Sequence, residues 1–184
     1  MLPYFDDDDP DPADYDQVIR HECAHVVISR LFREPIEHLV VGRLDRGEAP
    51  GQTKRVRWAE WNTECLIARA GETGDRIFSG FPTLAHTWSE DRKHIWAIVR
   101  EHGLTLDGYT QHQTCLRTYF RLLDDRVRTY FMIDGVKSAY FALRDELYKM
   151  RQDAVSSKVL GRPVRPVGMN GATIATIVDP LLAQ

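Results

Sequence analysis

A mainly helical fold of α+β class, with a small antiparallel β-element after its first helix, is what this sequence predicts. Three observations carry that expectation. Apolar residues recur at helical spacing over most of the chain, and the only alternating, β-branched stretches are "IEHLVVGRL" and "GQTKRVRW". The 184 residues, 43% hydrophobic and 28% charged, suit one domain with its own core.

Residues 1–10 carry the acidic run Asp6 to Asp9 ahead of Pro10 and are expected to form a flexible tail, with the folded domain spanning 11–184. Asp11 can cap a first helix whose opening position suits Pro12 and whose positive end suits Asp14. That helix should run to about Phe32. The two strands follow, joined by "DRGEAPG". Asn62 is a plausible cap for a helix over "TECLIARAGETGDRIFSG". Gly71 and Gly74 weaken that helix and so signal close packing against another. "FPTLAH" breaks the pattern, and "TWSE", Thr87 to Glu90, makes a capping box for a helix through about His102. From Gln111 to about Lys158 the chain is long-helical with a break at Met132 to Gly135. "GRPVRPVGMNG" is expected as a loop and "ATIATIVDPLL" as a short closing helix.

Composition narrows the function classes. A formal charge of −3 gives no electrostatic reason to expect nucleic acid as a partner. No apolar run approaches the ~20 residues that span a bilayer, and "MLPYFDDDDPDP" lacks the pattern of a secretory signal. Cys23, Cys65 and Cys115 are widely spaced and odd in number, which argues against a disulfide framework. The expectation is a cytoplasmic protein without a membrane segment.

The chemistry is concentrated in "VIRHECAHVVIS", where His21, Glu22 and His25 make the pattern H-E-x-x-H. Residues four apart share a helix face, so two imidazoles can meet one ion with a carboxylate beside them. Catalytic zinc takes three protein ligands and leaves one position open, lowering the pKa of water there to roughly 7. Glu22 is placed to accept that proton. The bland alternative is a polar helix face, but the flanking "VI" and "VVIS" predict a buried helix, where unpaired polar groups are costly. For a third ligand Asp91 leads, in the first turn of the "TWSE" helix on the side of Trp88, Ile95 and Ile98. Glu64, Asp75 and His94 compete, and spacing alone does not choose. His94 could instead hydrogen-bond behind a ligand.

The order of these parts resembles the peptidase domain of the FtsH-type zinc metalloproteases, the ATP-dependent AAA proteases. "HECAHVVISRLF" is similar to that family's H-E-A-G-H-A-V-V helix, and "HLVVGR" with "GQTKRVRW" to its strands. "LIARAGETGDRIFSG" resembles its Gly-rich helix, and "TWSEDRKHIWAIVREHG" its S-x-D segment. The likeness covers roughly Asp14 to Val178. It implies Zn2+ held by His21, His25 and Asp91, Glu22 as general base, and Asp75 as a residue behind the ligands. It implies too that an extended polypeptide substrate pairs with the strand carrying Gly51, Gln52 and Thr53, a common source of sequence-tolerant affinity.

Departures qualify the likeness. No G-x-x-x-x-G-K-[ST] occurs, so no ATP-driven motor is expected in these residues, and Ala24 stands where the family has glycine. Such a chain would cleave unfolded or loosely folded polypeptides, unless a separate ATPase or adaptor partner delivers others. A second reading is a catalytically silent interaction module binding a protein partner in the same groove; a third is a zinc hydrolase of small amides. Among the remaining residues, His86 could donate to an oxyanion, while His38, His102 and His112 suit surface or capping roles. "KRVR", Lys54 to Arg57, suits the solvent face of a strand, and Cys23 a small core position.

Overall fold

The computed structural model describes residues 12–42, 51–79, 89–102, 116–159 and 166–184. The acidic tail, Asp11, His86, Thr87, Trp88, His112 and Cys115 lie outside them. The described chain is mainly helical with one three-stranded antiparallel sheet, as the sequence predicts.

Helix α1 (Pro12–Leu31) is the centre of the molecule. Its residues from Gln17 to Ser29 are buried except Arg20, and it touches α2, α5, α6 and the strands β1 and β2. A helix covered on all sides needs apolar residues all round, which "VIRHECAHVVIS" supplies apart from its chemical residues. It ends where Arg33 turns into the left-handed region at φ 60°, letting the Glu34 N–H reach the Ser29 carbonyl at 2.9 Å.

Strands β1 (Ile36–Val41) and β2 (Gly51–Arg55) pair antiparallel, with Leu39 opposite Thr53 and Val41 opposite Gly51. A third strand, β3 (Val167–Asn170), completes the order β2-β1-β3. It corrects the expectation of a loop through "GRPVRPVGMNG". Its four residues alternate Val167 and Met169 inward with Gly168 and Asn170 less buried, a pattern too brief to be distinctive in sequence. Gly168 is required there, since a Cβ would press on the Leu39 carbonyl oxygen at 2.6 Å.

Helix α2 (Trp61–Ser79) begins one residue before Asn62, which is therefore not its cap. The Glu60 carboxylate accepts the Asn62 N–H at 3.1 Å and does that work instead. Every residue from Glu64 to Asp75 is buried. Gly71 and Gly74 face α1 as the sequence suggests; a Cβ at Gly74 would stand 2.6 Å from that of Ala24. Helix α3 (Ser89–His102) lies on α2 through Ile95 and Val99. Helices α4 (Leu116–Phe131) and α5 (Asp134–Val159) are separated at Met132–Ile133, where a break is expected. Asn170 caps α6 (Gly171–Leu182) by accepting from the Thr173 N–H at 2.9 Å, and α6 is tied to α1 by Arg30 on Asp179. Among the described residues no helix is long and apolar enough to cross a membrane.

Candidate metal centre

His21 and His25, one turn apart on α1, turn their rings towards α2 and are 5% and 8% exposed. Each ring is fixed by its Nδ1. That of His25 donates to the Ile67 carbonyl at 2.7 Å, and that of His21 lies 3.2 Å from Asp75 Oδ2. The two Nε2 atoms are then left facing each other at 3.0 Å. Asp91 Oδ2, from the first turn of α3, completes a triangle at 3.0 Å from His21 Nε2 and 3.2 Å from His25 Nε2. Among the described residues these three side chains are the group whose ligand atoms converge closely enough for a metal ion.

Protonation makes the triangle informative. A carbonyl only accepts, so the proton of neutral His25 sits on Nδ1. Neutral His21 has one proton for two carboxylates, Asp75 at Nδ1 and Asp91 at Nε2, and takes the same tautomer when it pairs with Asp75. Both Nε2 atoms are then acceptors, and so is the carboxylate oxygen. Asp91 Oδ2 makes no hydrogen bond among the described residues despite its two close neighbours. Three acceptors at 3.0–3.2 Å repel unless positive charge lies among them. Protons are one source: burial pulls the His21 pKa down, but Asp75 and Asp91 outweigh it and hold it well above 6.5. His25 is raised in the same way against its burial, chiefly by Asp91. Burial pushes Asp91 up, yet the two imidazoles hold its carboxyl well below the usual 3.8.

A divalent cation is the other source, and the geometry fits it. Nitrogen and oxygen ligands about 2.1 Å from a tetrahedral zinc stand roughly 3.4 Å apart, close to the separations observed. The donor set, two imidazoles and one carboxylate with a carboxylate behind His21, is one zinc accepts. Gly71 leaves the room: a Cβ there would lie 2.5 Å from Nε2 of both histidines.

Glu22 stands beside the triangle, also buried. Thr53 on β2 donates its hydroxyl to Glu22 Oε2 at 2.7 Å, leaving Oε1 as the less engaged oxygen. Gly51 lets the strand run close to this carboxylate, since a Cβ would meet Glu22 Cγ at 2.9 Å. Glu22, His25 and Asp91 open onto a cavity of about 420 Å³ whose rim includes Gly51, Gln52, Thr53 and Trp58.

The competing ligands fall elsewhere. Glu64 is directed away from the triangle by Arg55 Nη1 at 2.6 Å, the Ala59 N–H at 3.2 Å and His94 Nε2 at 2.9 Å. His94 is engaged by that same carboxylate, so neither it nor Glu64 is a ligand in this arrangement. Asp75 lies behind His21, fully buried, with Oδ1 lacking a hydrogen bond among the described residues. Sequence reasoning missed Trp58 and put Arg55 on the solvent face of its strand, whereas the Arg55 side chain turns inward to the buried Glu64. Arg55 holds Glu64 in place, and its guanidinium lies 5.4 Å from the ring centre of Trp58, which is 71% exposed at the cavity mouth. An aromatic residue just past a basic strand was the available signal. Set against known proteins, the chain matches no family model and no curated sequence.

Proposed function

We propose that the chain is a zinc-dependent metallopeptidase that hydrolyses unfolded or loosely folded polypeptides, on the plan of the FtsH-type peptidase domain that its sequence resembles. The observation that carries this reading is the triangle of acceptors, His21 Nε2, His25 Nε2 and Asp91 Oδ2, with Glu22 at its side on an open cavity. A structural zinc site has four protein ligands, whereas three leave a position for water or substrate.

Zinc, when bound, supplies a Lewis acid that polarises a carbonyl and acidifies water. The chain's own residues do the rest. His21, His25 and Asp91 hold the ion, and Asp75 and the Ile67 carbonyl keep the two rings in the tautomer that ligation needs. Glu22 Oε1 takes a proton from the attacking water as the hydroxyl oxygen joins the peptide carbonyl carbon. As the C–N bond breaks, the same oxygen returns a proton to the leaving amine. Thr53 keeps Glu22 turned towards the cavity. Among the described residues strand β2 is at the sheet edge, so Gly51, Gln52 and Thr53 offer an extended polypeptide a backbone to pair with. Folded substrates would require a separate ATPase or adaptor partner.

Elemental analysis of wild type and Asp91→Ala, beside cleavage of an unfolded protein, tests the proposal. About one zinc per chain is expected in wild type, most of it lost in the variant together with the cleavage. Wild type that takes up no zinc from a zinc-containing buffer would end the catalytic reading. Full zinc in wild type without cleavage of any polypeptide would favour the silent interaction module.

A further inference from the structure

Asp91 is the one member of the triangle that does not come from α1. Its position depends on how α3 sits on α2, and the apolar contacts of Ile95 and Val99 begin only a turn later. Apolar contacts are non-directional, so they press α3 onto α2 without fixing its rotation or slide. A metal ligand needs placement to within about 0.5 Å. His94 Nε2, 2.9 Å from Glu64 Oε1, gives one directional tie to α2 three residues further on, and a second is required next to Asp91 itself.

The adjacent residue supplies it. Arg92 sends Nε and Nη2 to the two oxygens of Glu72 on α2, at 2.9 and 2.7 Å. Such a two-pronged pair fixes orientation as well as distance. Glu72 is itself 1% exposed and also receives Arg69 and Arg76 from its own helix. Arg69 is in turn gripped by Asp124 of α4 at 2.7 and 2.9 Å, and Thr73 donates to the same carboxylate at 2.7 Å. The network therefore runs from α4 through α2 to the residue beside Asp91. Buried ionic networks add little net stability over an apolar core, and geometric definition is their better-attested use.

We propose that Glu72 is a positioning residue for the zinc site: acting through the Arg92 fork, it sets the rotation of α3 that brings Asp91 Oδ2 onto His21 and His25. The proposal rests on the zinc reading above. Glu72 touches neither the ion nor the substrate; its effect passes entirely through Asp91.

The test is zinc affinity of the full chain at fixed pH, by competition with a chromophoric chelator, for wild type, Arg92→Gln, Glu72→Gln, Asp91→Ala and the Glu72→Gln/Asp91→Ala double variant. Circular dichroism reports folding, and the visible spectrum of the cobalt(II) form reports coordination. The Arg92 side chain is 46% exposed, so Arg92→Gln keeps the question answerable if Glu72→Gln does not fold. Both single variants should bind zinc roughly 10- to 100-fold more weakly, with cobalt bands weakened towards those of higher coordination. The double variant should bind no worse than Asp91→Ala alone, because the residue being positioned is gone. Wild-type affinity in folded Arg92→Gln, or a double variant whose losses add, would overturn the positioning role while leaving the zinc site intact. Wild type without zinc affinity would instead sink the zinc reading, and this proposal with it.

Discussion

At the scale of single residues, the candidate site sets the proposed proton carrier apart from the proposed ligands. Glu22 is next to His21 in sequence yet lies outside the triangle of ligand atoms, with Thr53 holding one of its oxygens. Glu22→Gln should therefore keep wild-type zinc while turnover of an unfolded protein falls by roughly 10²- to 10⁴-fold, the range for loss of a general base. Zinc lost along with activity would show that Glu22 helps hold the ion. Thr53→Val keeps the shape of the side chain and removes the hydroxyl. A kcat lowered about tenfold with KM nearly unchanged is expected, and a raised KM at constant kcat would assign Thr53 to substrate binding alone. Gly71 is equally specific: a methyl group there would meet both Nε2 atoms at 2.5 Å. Gly71→Ala should abolish zinc binding in chelator competition even if the variant still folds. Retained affinity would mean that α2 can withdraw from α1 without disturbing the ligands.

At the scale of elements, α2 carries two buried glutamates that organise its neighbours, Glu72 towards α3 and Glu64 towards both β2 and α3. Burial raises the Glu64 carboxyl, but His94 and then Arg55 outweigh it and hold it at about 2 against an ordinary 4.5. The folded state thus binds this proton less readily than the unfolded chain. The contribution of Glu64 to stability is present above about pH 4.5 and is lost as pH falls towards 2. Between pH 7 and pH 3 the stability difference between wild type and Glu64→Gln should narrow by about 2 kcal/mol, measured by urea unfolding. A gap that does not change with pH would mean that the Arg55–Glu64 pair is not maintained in solution. This pair also shows what sequence could and could not reveal. The long helices were legible because their apolar period extends over many residues, and Gly71 and Gly74 announced a close helix contact. His21, Glu22 and His25 were legible because four residues on a helix is a fixed geometry. Glu64 remained a rival of Asp91 because nothing local says that Arg55, nine residues away and on a strand, will claim its carboxylate. The Arg69–Asp124 link spans 55 residues and β3 pairs with a strand far upstream, so both depend on tertiary pairing with no local signature.

At the scale of the whole molecule, the candidate site joins the central helix to one that otherwise packs on α2. Without a cation, α1 and α3 meet through three inward-facing acceptors, and the surroundings add the carboxylates of Glu22 and Asp75. That junction is unfavourable when the imidazoles are neutral, so zinc should act as a cross-link between α1 and α3 as well as a reagent. Free zinc at a hundred times its dissociation constant stabilises the native state by about 2.7 kcal/mol, which in a chain of this size is roughly 5–10 °C in Tm. Chelator-treated protein titrated with zinc and melted by circular dichroism should show that rise. Glu22→Gln should reproduce it in full, because Glu22 lies outside the triangle, whereas Asp91→Ala should lose most of it, because the bridge to α3 is cut. An equal rise in Asp91→Ala would place the bound zinc away from the triangle. A rise absent from wild type would mean that protons, not a metal, supply the positive charge between these helices, and the proposed hydrolysis would lack the ion it needs.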